Sequence, residues 1–225
     1  MELANGVYAF PVSIDRGDRV RTYHISGVET ESGLVLFDVG LQGEVGRLEG
    51  ALEDHGFGLD DVEMVLLTHH DGDHAGGLRS VVERTDATVF AHPSETPYVD
   101  GRAQPIKSEG GRYPAVDVDV EVVEGVTMNT AAGPVRLVET PGHSPGHLSL
   151  YLPHSKLLLA GDALTAPDGL AGPNERFTPD LVEATRSVGK LASLAVDGVL
   201  CYHGGFVEAD TDDVVAVHDS LRSGE

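Results

Sequence analysis

Apolar residues recur along this chain in short blocks, and their spacing predicts strands followed by helices, twice over. Residues 7–12 and 22–29 read as strands on either side of a polar loop at 13–21. Residues 34–37 (Leu-Val-Leu-Phe) form a third strand, ending in Asp38-Val39-Gly40. Residues 44–55 have helical spacing, with Val45, Leu48 and Leu52 on one face and Gly56 and Gly58 as stops. Met64-Val65-Leu66-Leu67 is a short buried strand, 75–83 a helix, and 88–91 another strand.

Residues 93–115 are rich in Pro, Gly and charge and read as loop, which places the divide between two αβ halves of a single domain there. Strands are then expected at 118–123, 126–129, 135–139, 148–152 and 157–160. A Gly/Pro loop follows at 165–178, then a helix at 179–195, a strand at 199–202 and a closing helix at 212–221. Each half gives a mixed sheet with helices on one face. Two such sheets stacked make an α+β fold, a four-layer αββα sandwich over residues 1–225.

Residues able to hold a metal gather where strands end. The 64–67 strand runs into Thr68-His69-His70-Asp71-Gly72-Asp73-His74, the 135–139 strand into Thr140-Pro141-Gly142-His143-Ser144-Pro145-Gly146-His147, the 157–160 strand into Gly161-Asp162, and the 199–202 strand into His203-Gly204-Gly205. One such histidine is weak information, but four strand ends, most with glycines that allow tight turns, point to one chemistry. The candidates are His69, Asp71, Asp73, His74, His143, Asp162 and His203. Seven ligands exceed the four that one zinc accepts and suit two ions sharing a carboxylate. Asp38 and His147 stand at strand ends where they can support ligands from behind.

In this order and spacing the chain resembles the metallo-β-lactamase superfamily over nearly its whole length. That family carries H-x-H-x-D-H after a strand, then P-G-H-[ST]-x-G-H, a Gly-Asp and a late His. The resemblance implies the αββα fold and two divalent ions, zinc first, with iron or manganese as rivals. It assigns His69, Asp71 and His143 to one ion, Asp73, His74 and His203 to the other, and Asp162 to both. It leaves His70 without a ligand role. The departure is Asp71, where the family usually has His. An anion there makes the site one unit less positive and its ligation harder, favouring iron or manganese relative to zinc. The activity implied is hydrolysis by a bridging hydroxide, with Asp73 orienting the nucleophile and moving its proton. The metals rather than a serine are expected to supply that nucleophile.

Composition narrows the substrate. Acidic residues outnumber basic ones 37 to 15, for a formal charge of −22. Such a surface disfavours nucleic acid and anionic lipid, so that among the substrates the resemblance implies a small molecule is expected: an ester, thioester or lactone, of the kind met by hydroxyacylglutathione hydrolases and lactonases. The alternatives are a di-iron redox enzyme like the flavodiiron proteins, or a metal-stabilised binding protein. Lysine-poor, acid-rich composition also resembles salt-accumulating archaea, so a halophilic source is expected. No run is long enough to cross a membrane and no basic leader opens the chain, so a cytoplasmic protein is expected. Cys201, the one cysteine, lies in an apolar run and reads as a core residue.

Overall fold

The hydrophobic blocks build two sheets in the structure, a computed structural model that describes residues 1–15, 17, 19–107 and 111–224. The chain falls into two compact units: Met1–Val122 with Thr130–Ala132, and Val123–Asn129 with Gly133–Glu225. The segment at 93–115 therefore lies inside the first unit, and the boundary comes at Val122.

The first unit carries a seven-stranded sheet in sequential order: β1 (Glu2–Ala4), β2 (Val7–Asp15), β3 (Val20–Glu29), β4 (Leu34–Phe37), β5 (Val62–Leu66), β6 (Thr88–Ala91) and β7 (Val120–Glu121). β1 to β4 pair antiparallel, while β4 to β7 are parallel. Parallel neighbours need crossovers, which α1 (Val45–Glu53), α2 (Gly72–Ala75), α3 (Leu78–Val82) and α4 (Thr96–Val99) help to make. Leu48 and Leu52 of α1 are fully buried, each contributing about 1.5–3 kcal/mol.

The second unit carries a six-stranded sheet, made of β8 (Thr127–Thr130), β9 (Gly133–Glu139), β10 (Leu148–Leu152), β11 (Leu157–Gly161), β12 (Gly198–Cys201) and β13 (Gly205–Val207), with β13 and β8 at its edges. β9, β10 and β11 are antiparallel, β11 and β12 parallel. Every residue of β10, β11 and β12 is buried, which is why they read as nearly continuous apolar runs, with Ser149 the one polar interruption. α5 (Leu181–Leu191) and α6 (Thr211–Ser223) pack Val188, Leu191 and Val214 against Leu158, Ala160, Val199 and Cys201. The Asp210 carboxylate caps α6 by accepting from the backbone N–H groups of Asp212 and Asp213.

Several boundaries differ from expectation. The loop expected at 13–21 is largely a continuation of the β2–β3 ribbon, with Ser13 opposite Thr22 and Asp15 opposite Val20; Arg16 and Asp18 lie outside the described residues. The helix expected at 75–83 is split at Gly76-Gly77 and begins earlier, at Gly72. The 93–115 segment contains α4, and the 165–178 loop ends in a 3₁₀ turn at Glu175–Phe177. The edge strands β1 and β13 are too short for periodicity to reveal.

Candidate metal centre

Parallel pairing of β4 and β5 sets Phe37 beside Leu66, so the two strands release Asp38 and Thr68 side by side. Asp38 has a left-handed backbone (φ 68°) and is buried. Its Oδ1 accepts from the Thr68 N–H (2.8 Å); its Oδ2 accepts from the Thr68 hydroxyl (2.7 Å) and from His74 Nδ1 (2.8 Å). Val39 N–H and Gly40 N–H both donate to His74 O, and Gly77 N–H donates to Gly40 O. The Asp38-Val39-Gly40 turn is thus the bed on which the ligand-bearing loop and α2 rest. Gly77 is required there, because a Cβ on it would stand 2.6 Å from Val39 O.

Hydrogen bonds assign the histidine tautomers. Thr68 gives its proton to Asp38, so its oxygen accepts from His69 Nδ1 (3.0 Å). His69 and His74 therefore both carry their proton on Nδ1 and keep the lone pair on Nε2, the form in which imidazole ligates metal. Their rings lie 4.0 Å apart. Asp71 stands at the N-cap position of α2 without a side-chain capping bond, and Asp73 sits in the first turn, half-buried. Asp71 Oδ2 lies 3.3 Å from His69 Nε2 and 2.5 Å from Lys107 Nζ.

In the second unit, β10 runs antiparallel to β11, which brings the β9–β10 turn to the end where Asp162 emerges. His147 donates through Nδ1 to the Thr140 hydroxyl (2.8 Å) and accepts at Nε2 from the Asp162 N–H (3.0 Å). Thr140 passes its proton to Ser149, which donates to Ala160 O. Both ring nitrogens of His147 are engaged by the protein itself. His143 Nδ1 lies 3.4 Å from the Thr178 hydroxyl, which gives its proton to Asn174 O, so His143 too keeps its lone pair on Nε2. Asp162 Oδ2 lies 3.3 Å from His143 Nε2 and 3.4 Å from His203 Nε2.

These distances test whether a metal fits. Two ligand atoms each about 2.0–2.1 Å from an ion, at the tetrahedral angle, stand roughly 3.3 Å apart. Nε2–carboxylate spacings of 3.3–3.4 Å meet that requirement in each unit, and at His69 and His143 the nitrogen is the one that keeps the lone pair. Among the described residues, His69, Asp73 and His74 of the first unit and His143, Asp162 and His203 of the second belong to His/Asp groups with ligand spacing; Asp71 does not.

The turn at 142–146 also spells Gly-x-Ser-x-Gly, the pattern of a serine nucleophile elbow, which the sequence reading missed in expecting the metals to supply the nucleophile. An elbow joins a strand to a helix. Here the turn joins β9 to β10, and Ser144 is buried, so the elbow context is absent. Cys201 is fully buried, and burial pushes its thiol pKa up, which suits a core residue. A groove of about 630 Å³ lies between 170–175, β13 and α6; none of its lining residues is a candidate ligand.

Sequence reasoning missed Thr68, Thr178, Thr140, Glu95 and Lys107 as supports of the site. Of these only Thr68 carried a signal, its position next to the first histidine.

A family model for the metallo-beta-lactamase superfamily matches residues 22–203. The probable metallo-hydrolase YflN of Bacillus subtilis is 29% identical over 90% of this chain and 85% of its own length. A hydroxyacylglutathione hydrolase of Cereibacter sphaeroides is 30% identical over 70% of this chain, which spans only 53% of that enzyme. A crystal structure of a metallo-beta-lactamase family protein from Thermus thermophilus superposes with a TM-score of 0.77 at 26% identity, covering 99% of this chain and 80% of that one. The chain belongs to the metallo-beta-lactamase superfamily and has its α+β fold of two sheets flanked by helices. It is thereby placed among metallo-hydrolases, and its His/Asp groups suit the divalent metals that the superfamily binds. No helix among the described residues is long and apolar enough to cross a membrane.

Proposed function

We propose that this protein is a hydrolase dependent on two divalent metal ions that cleaves a small ester, thioester or lactone. The observation that carries the reading is that His69 and His143, each locked with Nε2 as the lone-pair nitrogen, stand 3.3 Å from carboxylate oxygens, with His203 Nε2 3.4 Å from the Asp162 carboxylate that His143 faces. His69, His143 and Asp71 are read as ligands of one ion, Asp73, His74 and His203 of the other, and Asp162 as shared. Zinc leads, with iron or manganese favoured further by the carboxylate at 71. When bound, the ions supply Lewis acidity and an acidified water. Asp73, half-buried and one residue from His74, orients the attacking water and takes up its proton. Asp38 and Thr68 fix the ligand rings, so little ordering cost falls on binding.

The likeness to hydroxyacylglutathione hydrolases supports a thioester-type substrate, and the charge of −22 disfavours polyanionic ones. The test is a screen of metal-reconstituted protein against a thioester, a lactone, a phosphodiester and a chromogenic β-lactam. Turnover of the thioester or lactone is expected. Asp162→Ala should lower it by more than about 100-fold, beyond what loss of a supporting partner costs, with the circular dichroism spectrum kept. Turnover of the phosphodiester alone, or full activity in Asp162→Ala, would overturn the reading.

A further inference from the structure

We propose that Lys107 is a built-in competitor for the metal at Asp71, docked there by His70, so that this chain binds its two ions with unequal strength. The inference rests on the metal reading above and adds a residue to it. Lys107 Nζ stands 2.5 Å from Asp71 Oδ2, the same oxygen that lies 3.3 Å from His69 Nε2. Both side chains are largely buried, at 16% and 14% exposure, which separates this pair from the surface pair Lys156–Asp197, exposed at 49% and 61%.

The ammonium is brought there by a built support. The Ile106 N–H donates to His70 Nε2 (3.2 Å), so the residue before Lys107 is tied to the residue before Asp71. With Nε2 accepting, His70 carries its proton on Nδ1, which it gives to the fully buried Glu95 carboxylate. Glu95 also accepts from the His70 N–H (3.0 Å), and the Tyr98 ring stacks on the imidazole at 4.2 Å. The Tyr113 hydroxyl donates to His70 O (2.7 Å), while Arg112 donates to the carbonyls of Tyr98 and Ala103. Glu95, Tyr98, Ile106 and Tyr113 are thus set against the ligand loop, and Arg112 binds the 98–103 backbone to its own neighbour Tyr113.

One carboxylate oxygen cannot serve both cations. An ion ligated by Asp71 Oδ2 would stand no more than about 5 Å from an ammonium on the same oxygen, where like charges away from bulk water repel strongly. Asp71 ligates through Oδ2 only if Lys107 withdraws, and even through Oδ1 it shares its single negative charge with the ammonium, so the lost or weakened ion pair is subtracted from the metal's affinity. The carboxylate that replaces the family's histidine thus comes with its own intramolecular cation.

The test is chelator competition with zinc on metal-stripped protein, without substrate. Wild type is expected to bind one ion at least tenfold more weakly than the other. Lys107→Met and Lys107→Gln should each tighten the weaker ion at least tenfold, and adding Asp71→Asn should erase the gain. Melting curves check that each variant folds; two replacements of different polarity guard against one failing to do so. Equal affinities in wild type, or no tightening in either variant, would overturn the proposal while leaving a metal-dependent hydrolase intact. Loss of hydrolysis from every substrate with this binding pattern kept would do the reverse. Zinc failing to bind any variant would sink both.

Discussion

Because Thr68 gives its hydroxyl proton to Asp38, it can only accept from His69, and one carboxylate thereby orders two imidazoles. Asn tolerates the left-handed φ of 68° at position 38, so Asp38→Asn removes the charge while keeping the backbone. Metal affinity is expected to fall about 10- to 100-fold, measured by chelator competition. Unchanged affinity would show that the His74 ring needs no such anchor. The candidate ligands could be named from sequence, since each stands in the loop that follows a strand end. Asp38 was legible for the same reason. Thr178 and Lys107 were not: they reach His143 and Asp71 across 35 and 36 residues of chain, and nothing local marks a residue delivered by loop closure. Nor did the spacing show that His70, passed over as a ligand, is tied through Glu95 and Ile106.

Strands and helices were most legible where one face or both are buried without interruption. Residues 34–37, 88–91 and 148–152 have the bounds that their apolar runs predict. The outer β2–β3 ribbon was hidden because Ser13 and Asp15 are exposed and polar, with Ile14 alone facing inward. The break between α2 and α3 was hidden because a glycine pair inside a helical pattern does not reveal whether it bends the chain or serves close packing. Here it serves packing. Gly77→Ala should cost about 1–3 kcal/mol as its methyl meets Val39 O at 2.6 Å. Gly50→Ala, inside α1 with open space at its Cβ, should instead stabilise by about 0.5–1 kcal/mol. Thermal melting of the pair checks both signs, and a Gly77→Ala protein as stable as wild type would contradict the close approach.

At the scale of the whole molecule, charge dominates. With a formal charge of −22 and only three lysines, each in an ion pair with a carboxylate, the surface repels itself. Raising KCl from 0.1 to 1 M shortens the screening length from about 10 to about 3 Å. The melting temperature is expected to rise across that range, and a flat or falling series would show that self-repulsion does not limit stability. His147 carries a different consequence. Wedged between Thr140 and the amide of Asp162, it acts as a keystone whose removal would shift a carboxylate without touching any reactant. Replacing the eleven histidines one at a time will therefore return more inactive proteins than the centre has imidazole ligands, and inactivity at position 147 reports on masonry rather than on chemistry.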